Sequence, residues 1–364
     1  MEFPRDSFIQ QLNGCTPEYR SAIIQYTDNL LAKKLPVIFS LKHFAGIVGM
    51  DEGEIRRILD HTDGYYAYYT IQKKHSKKRR RIVVPYQNLK RIQRWILQEI
   101  LDKVAVHRQA KGFVKGGNTL QNALPHLGKK YLRKFDFKDF FESISAERVY
   151  GLFYELGYSP AVSHDLAALC TLKLSDYKYI SLKGYKQRCF KYLYDMNKAV
   201  LAQGAPTSPA IANLICRGLD GRFAKYADLN GIQYTRYADD LTFSADSLDL
   251  LPSFGFVNKV VREEALKLNY SKTGTYGPES RQMVTGILIN GVKPRVPQNF
   301  KRQIYRHLHF CEKYGAQEHF SHVMPGYSHA RQWLYGKILY VYAIEPEVGK
   351  DMLVKANSLD WGLI

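Results

Sequence analysis

Asp239 and Asp240 stand side by side in QYTRYADDLTFSA (residues 233–245), between two apolar, β-prone runs. A hairpin tip holds two such carboxylates within a few ångströms of each other, and unneutralised they repel, so that one is driven to keep its proton. A divalent cation removes the conflict. Mg²⁺ takes hard oxygen ligands, one or two protein carboxylates together with substrate phosphates. Two such ions about 3.5–4 Å apart can activate an attacking oxygen and stabilise a leaving one in phosphoryl transfer. That arrangement wants a third carboxylate from a neighbouring strand, and Asp136, at the end of YLRKFDF, is the best placed in the chain. Alone, an Asp-Asp pair is a weak signal, because Asp is a common turn residue. KYADLNG, from Lys225, repeats part of the pattern without the second Asp.

The elements that must position these residues are legible from spacing. QYTRYADDLTFSA reads as a β-hairpin with the acidic pair at its tip, and YLRKFDFKDFF (131–141) as a strand followed by a helix signal. Ser145 is placed to cap the helix AERVYGLFYEL, Gly157 to stop it, and residues 160–172 form another helix. QGAPTSPAIANLICRGLD is a loop leading into a helix. YYAYYTIQKKHSKKRRRIVVP is two strands around a dense basic turn, after which Pro85 opens a helix with Leu89, Ile92, Ile96, Ile100 and Val104 on its buried side. Lys90, Arg91 and Arg94 lie off that stripe, available to phosphate or to water. The first 60 or so residues are helical. Within them, residues 40–59 suit a plain helical hairpin better than a DNA-reading helix-turn-helix. Residues 173–198 interleave five tyrosines with six lysines and Arg188, either an RNA grip or a basic surface hairpin. Helices, strands and hairpins in this order indicate an α+β fold.

The chain has 364 residues, and 53 Lys plus Arg against 34 Asp plus Glu give a net charge of +19, which points to a polyanionic partner. Its 27 tyrosines supply rings on which single-stranded nucleic acid can stack. Five scattered cysteines with no CxxC pair indicate neither a disulfide framework nor a zinc site, and suit a reducing cytoplasm. MEFPRDSFIQQLNG has no apolar signal core, and no run approaches 18 apolar residues, so neither secretion nor membrane spanning is expected.

On these residues the sequence resembles the reverse transcriptases. YADDLTFSA is similar to their YxDD box, and FDFKDFFESI to their first palm motif. LAQGAPTSPAIANLIC (201–216) resembles LPQGxxxSP, with Ala202 where proline is usual. KRRRIVVPYQNLKRIQRWI resembles the finger motif, AKGFVKGGNTLQNAL the GF-containing motif that follows, and LNYSKTG the motif carrying a lysine near the nucleotide. Six elements in the family's order cover roughly residues 78–290. NALPH (122–126) fits the NAxxH box and VTG (284–286) the box beyond the palm, both associated with bacterial retron reverse transcriptases.

The resemblance implies a right-hand polymerase with fingers, palm and thumb. A helical segment occupies residues 1–61, interleaved fingers and palm 62–290, and a helical, basic thumb that holds duplex 291–364. It implies catalysis with two Mg²⁺ ions (Mn²⁺ a possible substitute) and dNTPs, with Asp136 and Asp239 bridging the metals and Asp240 the third carboxylate. Arg80, with Lys78 or Arg81 as a substitute, meets the triphosphate. Phe141 lies beneath the sugar and excludes a 2′-hydroxyl. Gln203 and Gly204 flank that sugar, and Lys272 neutralises or protonates the departing pyrophosphate. Asp139 lies on the phosphates' path or merely starts a helix. Tyr237 packs against the primer end, and Asn122, His126, Val284, Thr285 and Gly286 belong to boxes expected to meet primer, template or RNA. Without the resemblance, Asn122 and His126 read as a helical polar pair satisfying backbone groups.

The partners implied are a cognate structured noncoding RNA and the single-stranded DNA copied from it. Priming from a 2′-hydroxyl of that RNA gives a branched hybrid, in phage defence beside a separate effector protein. Three rivals remain: a reverse transcriptase of another bacterial lineage, a noncatalytic RNA-binding scaffold, and a helix-turn-helix regulator.

Overall fold

The computed structural model describes residues 3–72, 79–326 and 328–361. Four helices open the chain: α1 (Arg5–Gln11), α2 (Pro17–Ala32), α3 (Leu41–Val48) and α4 (Glu52–Asp60). The Ser40 and Asp51 side chains accept from the His43 and Glu54 amides and so cap α3 and α4, while Gly49 ends α3 at φ 65°. Strands β1 (Tyr66–Gln72) and β2 (Arg79–Pro85) pair antiparallel, from Tyr66 opposite Pro85 to Gln72 opposite Arg79. Lys78 and most of the basic turn lie outside the described residues. Pro85 closes β2 rather than opening the next helix, and Tyr86 stands at the N-cap of α5 (Gln87–Glu99). Val104 falls beyond that helix. Arg91 is not held for phosphate: its Nη2 donates to the Val48 carbonyl at 2.8 Å, satisfying an open carbonyl at the end of α3.

Next come α6 (Thr119–Ala123), a 3-10 turn over Leu124–His126, β3 (Tyr131–Asp136), α7 (Ala146–Leu156) and α8 (Pro160–Cys170). Gly157 ends α7 in the left-handed region, as its position suggests. Ser145 sits at the N-cap but makes no cap bond. Its hydroxyl interacts instead with the Glu147 carboxylate, which that hydrogen bond holds below its ordinary pKa. Thr171–Leu172, read as the end of α8, is strand β4, paired with β5 (Val200–Leu201). Between them lie α9 (Asp176–Ser181) and α10 (Gly184–Asp195), so the segment 173–198 is built of two helices rather than a hairpin of strands. Helices α11 (Ser208–Ile215) and α12 (Arg217–Leu229) precede the hairpin β6 (Gln233–Tyr237) and β7 (Asp240–Ala245). The chain continues through α13 (Phe254–Glu263), β8 (Gly274–Tyr276), β9 (Met283–Val284) and β10 (Ile287–Leu288). It ends in α14 (Gln298–Tyr314), α15 (Ala316–Val323), α16 (Ala330–Ile344) and α17 (Pro346–Asn357). This mixture is the α+β class expected.

By contacts the chain falls into two interleaved units. The first comprises residues 1–115, 136–223 and 254–269; the second comprises 116–135, 224–253 and 270–364. In the first, α7 packs against both α8 and α11, and Phe153, Leu166 and Ile211 of these helices are buried. The second holds a four-stranded sheet in the order β6-β7-β3-β8. Its core joins Leu132 of β3 and Val284 of β9 to Ile304, Leu334 and Ile338 of the terminal helices, so the helical tail and the sheet share one apolar interior.

Candidate active site

The acidic pair occupies the tip of the β6–β7 hairpin. Tyr237 pairs with Asp240, which leaves Ala238 and Asp239 as a two-residue turn. Ala238 takes φ 57°, a conformation that costs a residue with a Cβ some energy and persists only when its surroundings impose it. One such restraint is Arg236, fully buried, whose Nη1 donates to the Ala238 carbonyl at 3.1 Å. A charge at an inward position of an apolar strand is the signal that would have marked Arg236 in the sequence. Asp240 opens β7, and β3, its neighbour in the sheet order, ends on Asp136.

Asp136 is nearly buried, and the Asn269 side chain and amide hold it: Nδ2 to Oδ1 at 3.0 Å, and N–H to the Asp136 carbonyl at 2.7 Å. Asn269 belongs to LNYSKTG, the segment that also carries Lys272. Lys272 is exposed, in the 3-10 turn Tyr270–Lys272 just before β8. Among the described residues no group of three or more His, Cys, Asp or Glu forms a ready-made metal cage. The donor chemistry still fits Mg²⁺, an oxygen-seeking ion that commonly takes one or two carboxylates and completes its shell with substrate phosphate and water.

The first unit gathers most of the residues expected to meet a nucleotide. Alternation along β2 sends Arg79 and Arg81 to one face and Arg80 to the other. Arg79 lies over the Tyr185 ring and Arg81 over Tyr192, both on α10. Arg81, not Arg80, therefore reaches the first palm motif. Its Nη2 stands 3.1 Å from Asp139 Oδ1 and 3.2 Å from Glu142 Oε1. Its Nε is buried without a hydrogen-bond partner among the described residues. Arg80 is exposed. Phe141 begins a 3-10 turn beside this cluster, its ring 6.2 Å from Phe113 and 5.5 Å from Phe140 by centroids.

Gln203 and Gly204 lie against β2. The Val83 amide donates to the Gln203 carbonyl at 2.8 Å. Gly204 adopts φ 125°, and a Cβ there would meet the Val83 carbonyl oxygen at 2.8 Å, so both conformation and space demand glycine. Gly204→Ala is expected to cost about 1–3 kcal/mol of stability and to raise the KM for dNTP at least about tenfold. Urea titration and steady-state kinetics check the two effects.

The boxes around Asn122 and residues 284–286 are parts of one assembly in the second unit. Thr285 and Gly286 form the two-residue turn of the β9–β10 hairpin, at φ 46° and 85°. The Thr285 hydroxyl donates to the Thr119 carbonyl, at the head of α6, at 2.9 Å. Asn122 of α6 and His126 of the following turn are both buried, at 1% and 0% exposure, so neither presents a polar atom at the surface. Asn122 Oδ1 has no hydrogen-bond partner among the described residues. His126 bridges the acidic hairpin, with Nδ1 2.7 Å from Ser244 Oγ and Nε2 2.8 Å from Thr235 Oγ1. A neutral imidazole has one donor and one acceptor nitrogen, so one hydroxyl accepts and the other donates. Losing the ring would leave two buried hydroxyls unpaired, at about 1–3 kcal/mol each.

Burial, with a smaller contribution from Lys134, lowers the His126 pKa to about 3. The unfolded chain binds a proton near pH 6.5 that the folded chain refuses until near pH 3. Stability is therefore lost as pH falls below about 6.5, by up to about 1.4 kcal/mol per pH unit for one such group. His307, lowered to about 4 by burial and then by His319, contributes in the same direction. Urea midpoints at pH 5 and 7 should differ less in His126→Gln than in the wild type.

Comparison with known proteins defines the class. A family described as "Reverse transcriptase (RNA-dependent DNA polymerase)" matches residues 71–287. The Retron Ec86 reverse transcriptase of Escherichia coli is 34% identical over 347 residues, covering 93% of this chain and 100% of the relative. The Retron Mx162 reverse transcriptase of Myxococcus xanthus is 31% identical over 350 residues, covering 90% of this chain and 69% of the relative. The Retron Mx65 enzyme of the same organism is 35% identical over 261 residues, 70% and 59% of the two chains. The chain belongs to the reverse transcriptases, in their bacterial retron branch, and is an RNA-directed DNA polymerase. No described helix is long and apolar enough to cross a membrane.

Proposed function

We propose that this enzyme copies part of a dedicated structured noncoding RNA into single-stranded DNA. A 2′-hydroxyl of that RNA primes the copy and leaves a branched RNA–DNA product. The observation that carries this reading is the full-length match to a retron reverse transcriptase, with the acidic pair intact at its hairpin tip. Resemblance to the same branch supports a cytoplasmic role in phage defence beside a separate effector protein. Fingers around β1–β2, a palm around the four-stranded sheet and a thumb in the terminal helices make the right hand.

Asp136, Asp239 and Asp240 would hold two Mg²⁺ ions. When bound, these supply charge neutralisation for the attacking hydroxyl, the α-phosphate and the leaving pyrophosphate. The hydroxyl oxygen bonds to the α-phosphorus, the bond to the α–β bridging oxygen breaks, and the hydroxyl proton passes to water. Asn269 keeps the Asp136 carboxylate turned to its task. Arg81, rather than Arg80, is the candidate for the triphosphate, because it reaches Asp139 and Glu142 of the segment past which the phosphates would run. Phe141 excludes the 2′-hydroxyl of an NTP, and Lys272 supplies charge or a proton to pyrophosphate. Tyr237, paired with Asp240, meets the primer end. The basic terminal helices and Gly286 face the RNA, which is read through phosphates, shape and stacked bases.

Primer extension on an RNA template tests the chemistry. DNA synthesis should require dNTPs, cease with EDTA and resume with Mg²⁺ or Mn²⁺. Synthesis undiminished by EDTA would contradict the metal reading.

A further inference from the structure

We propose that His126 is a positioning residue for nucleotide addition: its imidazole bolts the two strands of the acidic hairpin together and so fixes where Asp239 and Asp240 stand. This rests on reading those aspartates as the metal-holding carboxylates. The geometry is specific. One ring nitrogen bonds Thr235 on β6 and the other bonds Ser244 on β7, with all three groups fully buried.

In the hairpin register Thr235 faces Thr242 and Tyr237 faces Asp240. Side chains alternate along a strand, so Thr235 and Tyr237 share one face of β6, and Ser244, Thr242 and Asp240 share the same face of β7. The bolt thus grips the face that carries Asp240. It lies about 7 Å along β6 from Tyr237 and about 13 Å along β7 from Asp240, at the usual rise per residue. An apolar side chain could fill the same space, but it would leave the strands free to shift within van der Waals tolerance. Two directional bonds from one rigid ring do not.

The bolt is itself seated. Its 3-10 turn follows α6, whose first carbonyl accepts from Thr285, and the Gly128 amide donates to the Ile289 carbonyl at 3.0 Å. The hairpin tip is thereby referenced to the β9–β10 turn, and the two sequence boxes around residues 122–126 and 284–286 act as one brace. A shift of about 1 Å in catalytic groups can cost about a hundredfold in rate.

The full-length enzyme with an RNA template and DNA primer provides the test. His126→Gln retains one bond, Ser244→Ala removes only the other, and the triple variant His126→Phe, Thr235→Val, Ser244→Ala removes both while leaving no hydroxyl unpaired. Rates are taken per titrated active site, well below each melting temperature. The expected result is a fall of at least about tenfold in the triple variant, with smaller losses in the single ones. Half-saturation by Mg²⁺ should rise severalfold and the KM for dNTP stay within about twofold, since Arg81, Gln203 and Gly204 lie in the other unit. A residue needed only for stability would change the active fraction and not the Mg²⁺ requirement. Unchanged rate and Mg²⁺ dependence in folded variants would overturn the proposal. Full activity in Asp239→Asn would instead overturn the metal reading on which it rests.

Discussion

Replacing Asp239 or Asp240 by asparagine is expected to lower nucleotide addition on the order of a thousandfold or more without lowering the melting temperature. The substitution keeps the shape of the turn and removes one negative charge. An amide oxygen is a poor substitute for a carboxylate at a hard divalent ion, and the charge it withdraws is the one that would gather positive charge around the reacting phosphate. The turn is held by the Tyr237–Asp240 backbone pairing and by Arg236 on the Ala238 carbonyl. Single-turnover extension and thermal melting on the same preparations separate the two effects. Retention of a tenth of the activity would contradict the assigned role. A collapse in melting temperature would show the pair to be structural.

The second large effect concerns the choice of sugar. Phe141→Val is expected to raise incorporation of NTP relative to dNTP by roughly a hundredfold. On the proposed reading discrimination is steric, and opening a pocket by several carbons is of the size that changes selectivity by one to two orders of magnitude. The ring is half-buried and leans on Phe113 and Phe140, so removing it leaves an opening where the 2′-hydroxyl would pass. Phe140, by contrast, is buried and stacked on Phe137, and Phe140→Val should cost stability with little change in selectivity. Competition between dNTP and NTP on one template measures the ratio. An unchanged ratio with a slower rate would make Phe141 a packing residue and no more.

These residues differ in how openly the sequence declares them. The acidic hairpin was legible because two-residue alternation and a turn-forming pair coincide over a short span. The longer helices and the β1–β2 pair were legible for the same local reason, whereas the two-residue strands β4, β5, β9 and β10 are too short to show a period. Arg81 was not, because choosing among three consecutive arginines depends on which face of β2 meets the palm motif. That is settled by Asp139 and Glu142, some 60 residues away along the chain. Asn269 and the Thr235–His126–Ser244 bridge are contacts between segments more than 100 residues apart. No period or spacing announces such contacts. The tyrosines of residues 173–198 carry a similar lesson. Tyr179 and Tyr194 stack on each other at 4.0 Å, while Tyr185 and Tyr192 lie against Arg79 and Arg81. Part of that aromatic surface lies against the β2 arginines, while Tyr177 is the most exposed of the five rings.

The central claim, that the enzyme makes DNA on its own cognate RNA, is met most directly by the nucleic acid that accompanies it. The protein would be expressed with its genomic flanks, purified, and its bound nucleic acid treated separately with RNase and DNase. A discrete DNA is expected in the wild type alone, absent from Asp239→Asn/Asp240→Asn, and carrying a short RNA remnant until it is debranched. Bound RNA with no DNA in either preparation would contradict the account.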